Sequence, residues 1–158
     1  MPELPEVQAL VDFLDARLLG LAVAEVEVGS IAVLKTYSPP PQALAGAVID
    51  SVSRHGKFID IDCGGLHLIV HLARAGWLRW SDSLSTTRIR PGKSPIALRV
   101  RLSDGSGFDL TEAGTQKRLA AYLVSDPALV PGIASLGPDP LTLSRSDFGS
   151  LLAGAKKQ

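Results

Sequence analysis

The chain has 158 residues, with Lys plus Arg and Asp plus Glu both at 16, so the formal net charge at pH 7 is zero. That length suits one domain, or one domain with a small appendage, and 46% hydrophobic residues are ample for a core. The balance counts modestly against a nucleic-acid-binding domain, which is usually basic; no stretch is apolar for long enough to cross a membrane as a helix and no signal-peptide pattern opens the chain, so a soluble cytoplasmic protein is expected.

In chain order, Leu4, Val7, Leu10, Val11, Leu14 and Leu18 recur at helical spacing, which predicts an amphipathic helix over 4–19 with Gly20 as its stop. Residues 22–28 alternate apolar and acidic and read as a strand. Ser38-Pro39-Pro40-Pro41 breaks the pattern, and 41–44 is a short helical turn. Three strands are then predicted at 47–54, 57–63 and 66–72, joined by turns at His55-Gly56 and Gly64-Gly65. Cys63, the only cysteine, falls in an apolar run as a buried small residue; no intrachain disulfide and no cysteine-based zinc site can form. Residues 77–80 continue the sheet after Ala75-Gly76. Residues 81–94 are polar, lack periodicity and read as a mobile loop. Ile96–Leu102, 107–111 and 119–124 are further strands, and 126–134 and 146–153 read as short helices. Short strands at this spacing, behind one helix, predict a mainly β fold: a two-sheet antiparallel sandwich with flanking helices.

The residues that carry chemistry sit first at the chain start, Met1-Pro2-Glu3-Leu4-Pro5-Glu6-Val7. Removal of Met1 would leave the Pro2 nitrogen as a free secondary amine. An α-amine titrates near ~8, so a useful fraction is unprotonated at neutral pH and able to form a Schiff base. Glu3 is close enough to exchange a proton. The same heptapeptide also reads as an ordinary helix start, with Pro in the first turn and Glu3 and Glu6 at the positive end of the dipole. Basic residues cluster at Arg54/His55/Lys57, Arg74/Arg79, Arg88/Arg90/Lys93, Arg99/Arg101 and Lys117/Arg118. They form either one shared face or ordinary solvated surface. His55, His67 and His71 have no known metal-ligand spacing, so no metal and no cofactor is expected.

The opening heptapeptide resembles the start of the formamidopyrimidine-DNA glycosylase / endonuclease VIII family of oxidised-base repair enzymes. Three more segments agree in order: Ser53-Arg54-His55-Gly56-Lys57-Phe58 with the family's lysine-bearing hairpin, His71-Leu72-Ala73-Arg74-Ala75-Gly76 with its His-Leu-Gly-Met-Ser-Gly loop, and Leu136-Gly137-Pro138-Asp139-Pro140-Leu141 with its Leu-Gly-Pro-Glu-Pro-Leu exit segment. The resemblance implies a catalytic domain over 1–135 and an exit segment with a short helix over 136–158. It implies a base-excision-repair glycosylase and AP lyase acting on damaged or abasic DNA. Pro2 would attack C1′ of the damaged nucleotide, Glu3 would protonate the opening sugar, and Glu6 would stay ionised beside the iminium. Lys57 and His71 would hold phosphates. For Lys57 a solvated turn lysine, and for His71 a satisfied core histidine, are the plain alternatives.

The departures matter as much. Where the family fills the gap left by the flipped base with methionine, this chain has Arg74; arginine can stack on bases as well as hydrogen-bond them. The family's Asp-Pro-Arg-Arg-Phe-Gly run matches Gly114-Thr115-Gln116-Lys117-Arg118-Leu119-Ala120, which makes Lys117 and Leu119 the inserting residues beside Arg118. The resemblance covers only the N-terminal half of a family member. The helix-two-turns-helix and zinc-finger modules are not in this sequence, so the 158 residues alone are expected to bind duplex weakly, and to cleave abasic sites better than they excise bases, unless a separate protein supplies that half. A catalytically degenerate DNA-binding or partner-binding module is the alternative reading. An unrelated proline-amine enzyme acting on small carbonyl compounds is a third.

Overall fold

In the computed structural model, residues 2–92, 94–114, 117–137 and 139 are described. Helix α1 (Leu4–Leu18) opens the chain. Its Glu3 N-cap donates its N–H to Glu6 Oε1 at 3.0 Å, one half of a capping box. Leu19 and Gly20 (φ 84°) end it where the sequence predicts. The helix buries Val7, Val11, Leu14 and Leu18. Burying each such side chain is worth about 1.5–3 kcal/mol, enough to hold the helix where its ends supply little.

Eight strands follow: β1 (Val23–Val28), β2 (Ser51–His55), β3 (Phe58–Cys63), β4 (Leu66–His71), β5 (Gly76–Ser81), β6 (Ile96–Leu102), β7 (Gly107–Glu112) and β8 (Ala120–Val124). They form two four-stranded antiparallel sheets, ordered β1-β6-β7-β5 and β2-β3-β4-β8. One apolar core fills the space between them. It takes Ile59, Ile61 and Cys63 from β3, Leu98, Val100 and Leu102 from β6, and Phe108 and Leu110 from β7. The opposite face of β3 and β4 carries a second cluster, Ile69, Val124 and Val130, with Phe58, Tyr122 and Ile133 packed against it. The predicted sandwich and its leading helix are thus the observed fold.

Several boundaries differ from expectation. The strand predicted from residue 47 starts at Ser51, because residues 47–49 bond instead to the chain entering β1: Val23 N–H to Ala47 O and Ile49 N–H to Leu21 O. The β2–β3 turn is Gly56-Lys57, one residue later than predicted, with Gly56 at φ 57°. Residues 82–92 of the predicted 81–94 loop are irregular but anchored: Leu84 is buried and donates to Gly105 O, while Arg88 and Ile89 bond to Glu25 and Glu27. The helix predicted over 126–134 is only a 3-10 turn at Pro127–Leu129. Pro131 has no N–H to donate and Gly132 adopts φ 94°, so the coil cannot continue. The helix predicted at 146–153 and the 140–158 part of the exit segment lie outside the described residues.

Candidate active site and nucleic-acid face

The start of α1, the β2–β3 turn and the end of β4 converge. The Gly56-Lys57 turn carries Lys57 Nζ to 4.0 Å from Glu3 Oε2. Both groups are partly open to solvent, so the pair is weak as a tie; what it establishes is that the hairpin tip and the chain start share one face. His71 ends β4 directly across from Phe58, with ring centroids 4.7 Å apart. Leu4, Lys57, Phe58, His71, Leu136 and Asp139 are among the residues lining an open cavity of about 360 Å³ there.

The two basic side chains of this cavity, Lys57 and His71, are not equivalent. Burial, and then the Lys57 charge, hold His71 below the usual imidazole range. Its Nδ1 accepts the Ala73 N–H at 3.1 Å. A ring nitrogen that accepts carries no proton, so the neutral imidazole keeps its hydrogen on Nε2 and can donate it. Ala73 sits at φ 58°, in the left-handed region that favours glycine. Beyond it the loop closes through Gly76 N–H to Leu72 O, and a Cβ on Gly76 would lie 2.2 Å from that oxygen. Arg74, at the loop's outer end, is exposed.

Pro2 is buried with Met1 attached, whereas a reactive amine needs access. While Met1 is attached, the Pro2 nitrogen is an amide with no N–H, so no unpaired donor opposes that burial. Glu3 is exposed, and one Glu6 oxygen is occupied by the Glu3 N–H.

The burial of Leu119 runs against its expected insertion into DNA. The residue is 1% exposed and packs in the core with Ala121 and Leu123. The alternation of β8 puts residues 119, 121 and 123 on its inward face, so Leu119 cannot be presented to a duplex. Lys117 and Arg118, immediately before it, are exposed. Thr115 and Gln116 lie outside the described residues.

Arg54 has a part that the sequence reading missed. Its side chain is only 2% exposed and ties three elements: Asp139 Oδ2 at 2.6 Å, Gln8 Oε1 of α1 at 2.6 Å, and the Gly56 carbonyl at 3.2 Å. It thereby holds the carbonyl next to Lys57 against the helix and the exit segment. The legible signal was period-2 alternation, which places Arg54 on the same inward face as Val52.

Several other charges are committed elsewhere. His55 Nε2 and His67 Nδ1 bind opposite oxygens of buried Asp60, at 2.7 and 2.8 Å. Among the described residues no group of three or more His, Cys, Asp or Glu is placed to hold a metal. On the outer face of the β1-β6-β7-β5 sheet, Arg99 makes two bonds to Asp109, Arg101 pairs with Glu27, and Arg88 pairs with Glu25. Three arginines of the third and fourth clusters, Arg88, Arg99 and Arg101, are therefore neutralised locally. No helix is long and apolar enough to cross a membrane among the described residues.

The model of the formamidopyrimidine-DNA glycosylase N-terminal domain matches residues 1–119. A formamidopyrimidine-DNA glycosylase of Geobacter metallireducens is 36% identical over 149 residues, covering 90% of this chain and 51% of that protein. One from Solibacter usitatus is 33% identical over 159 residues, covering 99% of this chain and 55% of its own length. The crystal structure of the Lactococcus lactis enzyme, bound non-covalently to DNA containing an AP site, superposes with a TM-score of 0.76 at 25% identity, covering 98% of this chain and 56% of that one. The chain thus spans about half the length of these relatives. With its N-terminal motif, lysine hairpin, histidine loop and two-sheet sandwich in the matching order, the chain belongs to the formamidopyrimidine-DNA glycosylase family, through that family's N-terminal domain.

Proposed function

We propose that this chain is the catalytic domain of a base-excision-repair DNA glycosylase and AP lyase acting through an N-terminal proline. With Met1 removed, the Pro2 nitrogen attacks C1′ of the damaged nucleotide and the glycosidic electron pair leaves with the base. Glu3 gives a proton to the sugar ring oxygen as it opens, leaving an iminium between Pro2 and C1′. Glu6, ionised beside it, stabilises that positive charge. The iminium acidifies the neighbouring sugar carbon, and loss of its proton expels the adjoining phosphate and breaks the strand. Lys57 and the His71 Nε2–H hold phosphates beside the lesion, while exposed Arg74, Lys117 and Arg118 face the gap left by the displaced nucleotide. The observation that carries this reading is the meeting of Lys57 with Glu3, at 4.0 Å, over a cavity shared with His71. Damaged or abasic DNA is the substrate class, and a separate protein supplying the other half of the family's architecture is compatible with it.

The burial of Pro2 favours a second reading, a non-catalytic DNA-binding module on the same fold. Borohydride trapping with an abasic oligonucleotide, alongside intact-mass analysis of the N-terminus, separates the two. A covalent adduct that Pro2→Gly abolishes supports catalysis. Binding without adduct, from protein whose Met1 has been removed, overturns it. An adduct with small aldehydes alone would mean a different proline-amine chemistry.

A further inference from the structure

The end of β7 joins two loops that differ in origin. Glu112 pairs in the sheet with Gly76, the first residue of β5, and the next amide, Ala113 N–H, donates to Ala75 O at 3.3 Å. The main chain at this point is therefore registered onto the loop that carries Arg74. The Glu112 side chain turns to the other loop. Its Oε2 accepts the consecutive N–H groups of Arg118 and Leu119, each at 2.7 Å, and Lys117 Nζ donates to the Glu112 carbonyl at 2.7 Å.

Those two amides lie just before β8, where no ladder partner takes them, and a part-buried amide needs an acceptor. No acidic residue occurs between 113 and 119, so the carboxylate that fills the need comes from the strand behind. Its two bonds are charge-assisted and short. They fix the backbone at Arg118-Leu119, which sends Leu119 into the core and leaves the side chains of Lys117 and Arg118 outside. The other oxygen, Oε1, is buried with no hydrogen-bond partner among the described residues.

We infer that Glu112 is a positioning residue: it sets the spacing between the Arg74 loop and the Lys117–Arg118 loop, so that cations from both enter the DNA together where the damaged nucleotide leaves the stack. This rests on the function proposed above. It assigns Glu112 no contact with the reacting atoms, and so separates loop placement from chemistry.

The test uses the 158-residue protein and two substrates. One is a duplex with an abasic analogue opposite 2-aminopurine, whose fluorescence reports side-chain insertion beside it. The other is a single-stranded abasic oligonucleotide, trapped with borohydride. Glu112→Ala should weaken duplex binding by about tenfold or more and remove most of the fluorescence change, the loss of charge-assisted bonds being of that order. Trapping of the single strand should stay within about twofold, since that step needs no insertion. Glu112→Gln, which keeps a carbonyl oxygen for the two amides, should restore most of the signal. Glu112→Asp, one methylene short, should behave like the alanine variant even if alanine impairs folding. Parallel losses on both substrates with a lowered melting temperature would reduce Glu112 to a structural role, and an unchanged fluorescence signal would overturn the proposal outright. Wild-type protein that binds neither substrate and forms no adduct would instead overturn the functional reading beneath it.

Discussion

Truncation of Leu119 separates a core residue from a DNA wedge. Leu119 is 1% exposed, packs with Ala121 and Leu123, and its Cδ1 would be 3.0 Å from a Cβ placed on Gly76, so no slack surrounds it. Leu119→Ala removes methyl and methine groups worth about 0.8 kcal/mol each in transfer, and the cavity left behind brings buried Leu→Ala changes to about 2–5 kcal/mol. We expect about 3 kcal/mol here, within that range. For a chain of this size each kcal/mol lowers Tm by about 2–4 °C, so the melt should shift by about 6–12 °C. Circular dichroism melts and urea titrations with an unchanged m-value would measure it. Arg118→Ala is the paired control: its exposed side chain should cost no more than about 0.5 kcal/mol of stability, while flattening the salt dependence of duplex binding by about one unit of slope. If Leu119→Ala leaves Tm within about 2 °C yet abolishes binding to lesion-bearing duplex, Leu119 is a wedge and the packing argument fails.

Three other perturbations follow from the same structure. Ala73 at φ 58° carries left-handed strain of about 1–2 kcal/mol, partly offset in Ala73→Gly by the greater freedom of the unfolded chain; a net gain of about 0.5–1 kcal/mol in urea unfolding is expected, and a loss would show that the methyl packs usefully. Burial alone would raise the Glu27 carboxyl, but the Ile89 N–H, the Arg101 bond and the Arg101 and Arg88 charges outweigh it and leave it below the usual carboxylate range. Its contribution is then complete above the unfolded value of about 4.3 and is lost as pH falls through the folded one; the stability difference between wild type and Glu27→Gln should shrink over that descent, and a constant difference would contradict the assignment. Burial, then the charges of Asp62, Asp50 and Asp60, push the Cys63 thiol up to about 12; iodoacetamide at mildly alkaline pH should label it in urea and leave the native protein unlabelled, and rapid native labelling would mean that β3 opens easily.

The local pattern determined most of the architecture. Helical spacing placed α1 almost to the residue, and alternation over 96–102 located β6, because a surface that buries one face must repeat at the period of its backbone. The N-terminal motif, the lysine hairpin and the histidine loop were legible as a family, and the fold brings Lys57 to Glu3 and into the cavity it shares with His71. Residues 47–50 and 126–134 were misread because short apolar runs take the structure of whatever partner reaches them. Pairing across the molecule decided the rest. Nothing local distinguishes Arg54, whose three partners come from separate parts of the chain, or Glu112, whose carboxylate serves amides beyond a loop. Leu119 was misassigned by motif alignment because which way a residue faces depends on the register of β8 against β4. Sequence fixes which side chains are available; long-range register and burial decide which of them solvent, and so DNA, can reach, since a one-residue step along a strand reverses its face.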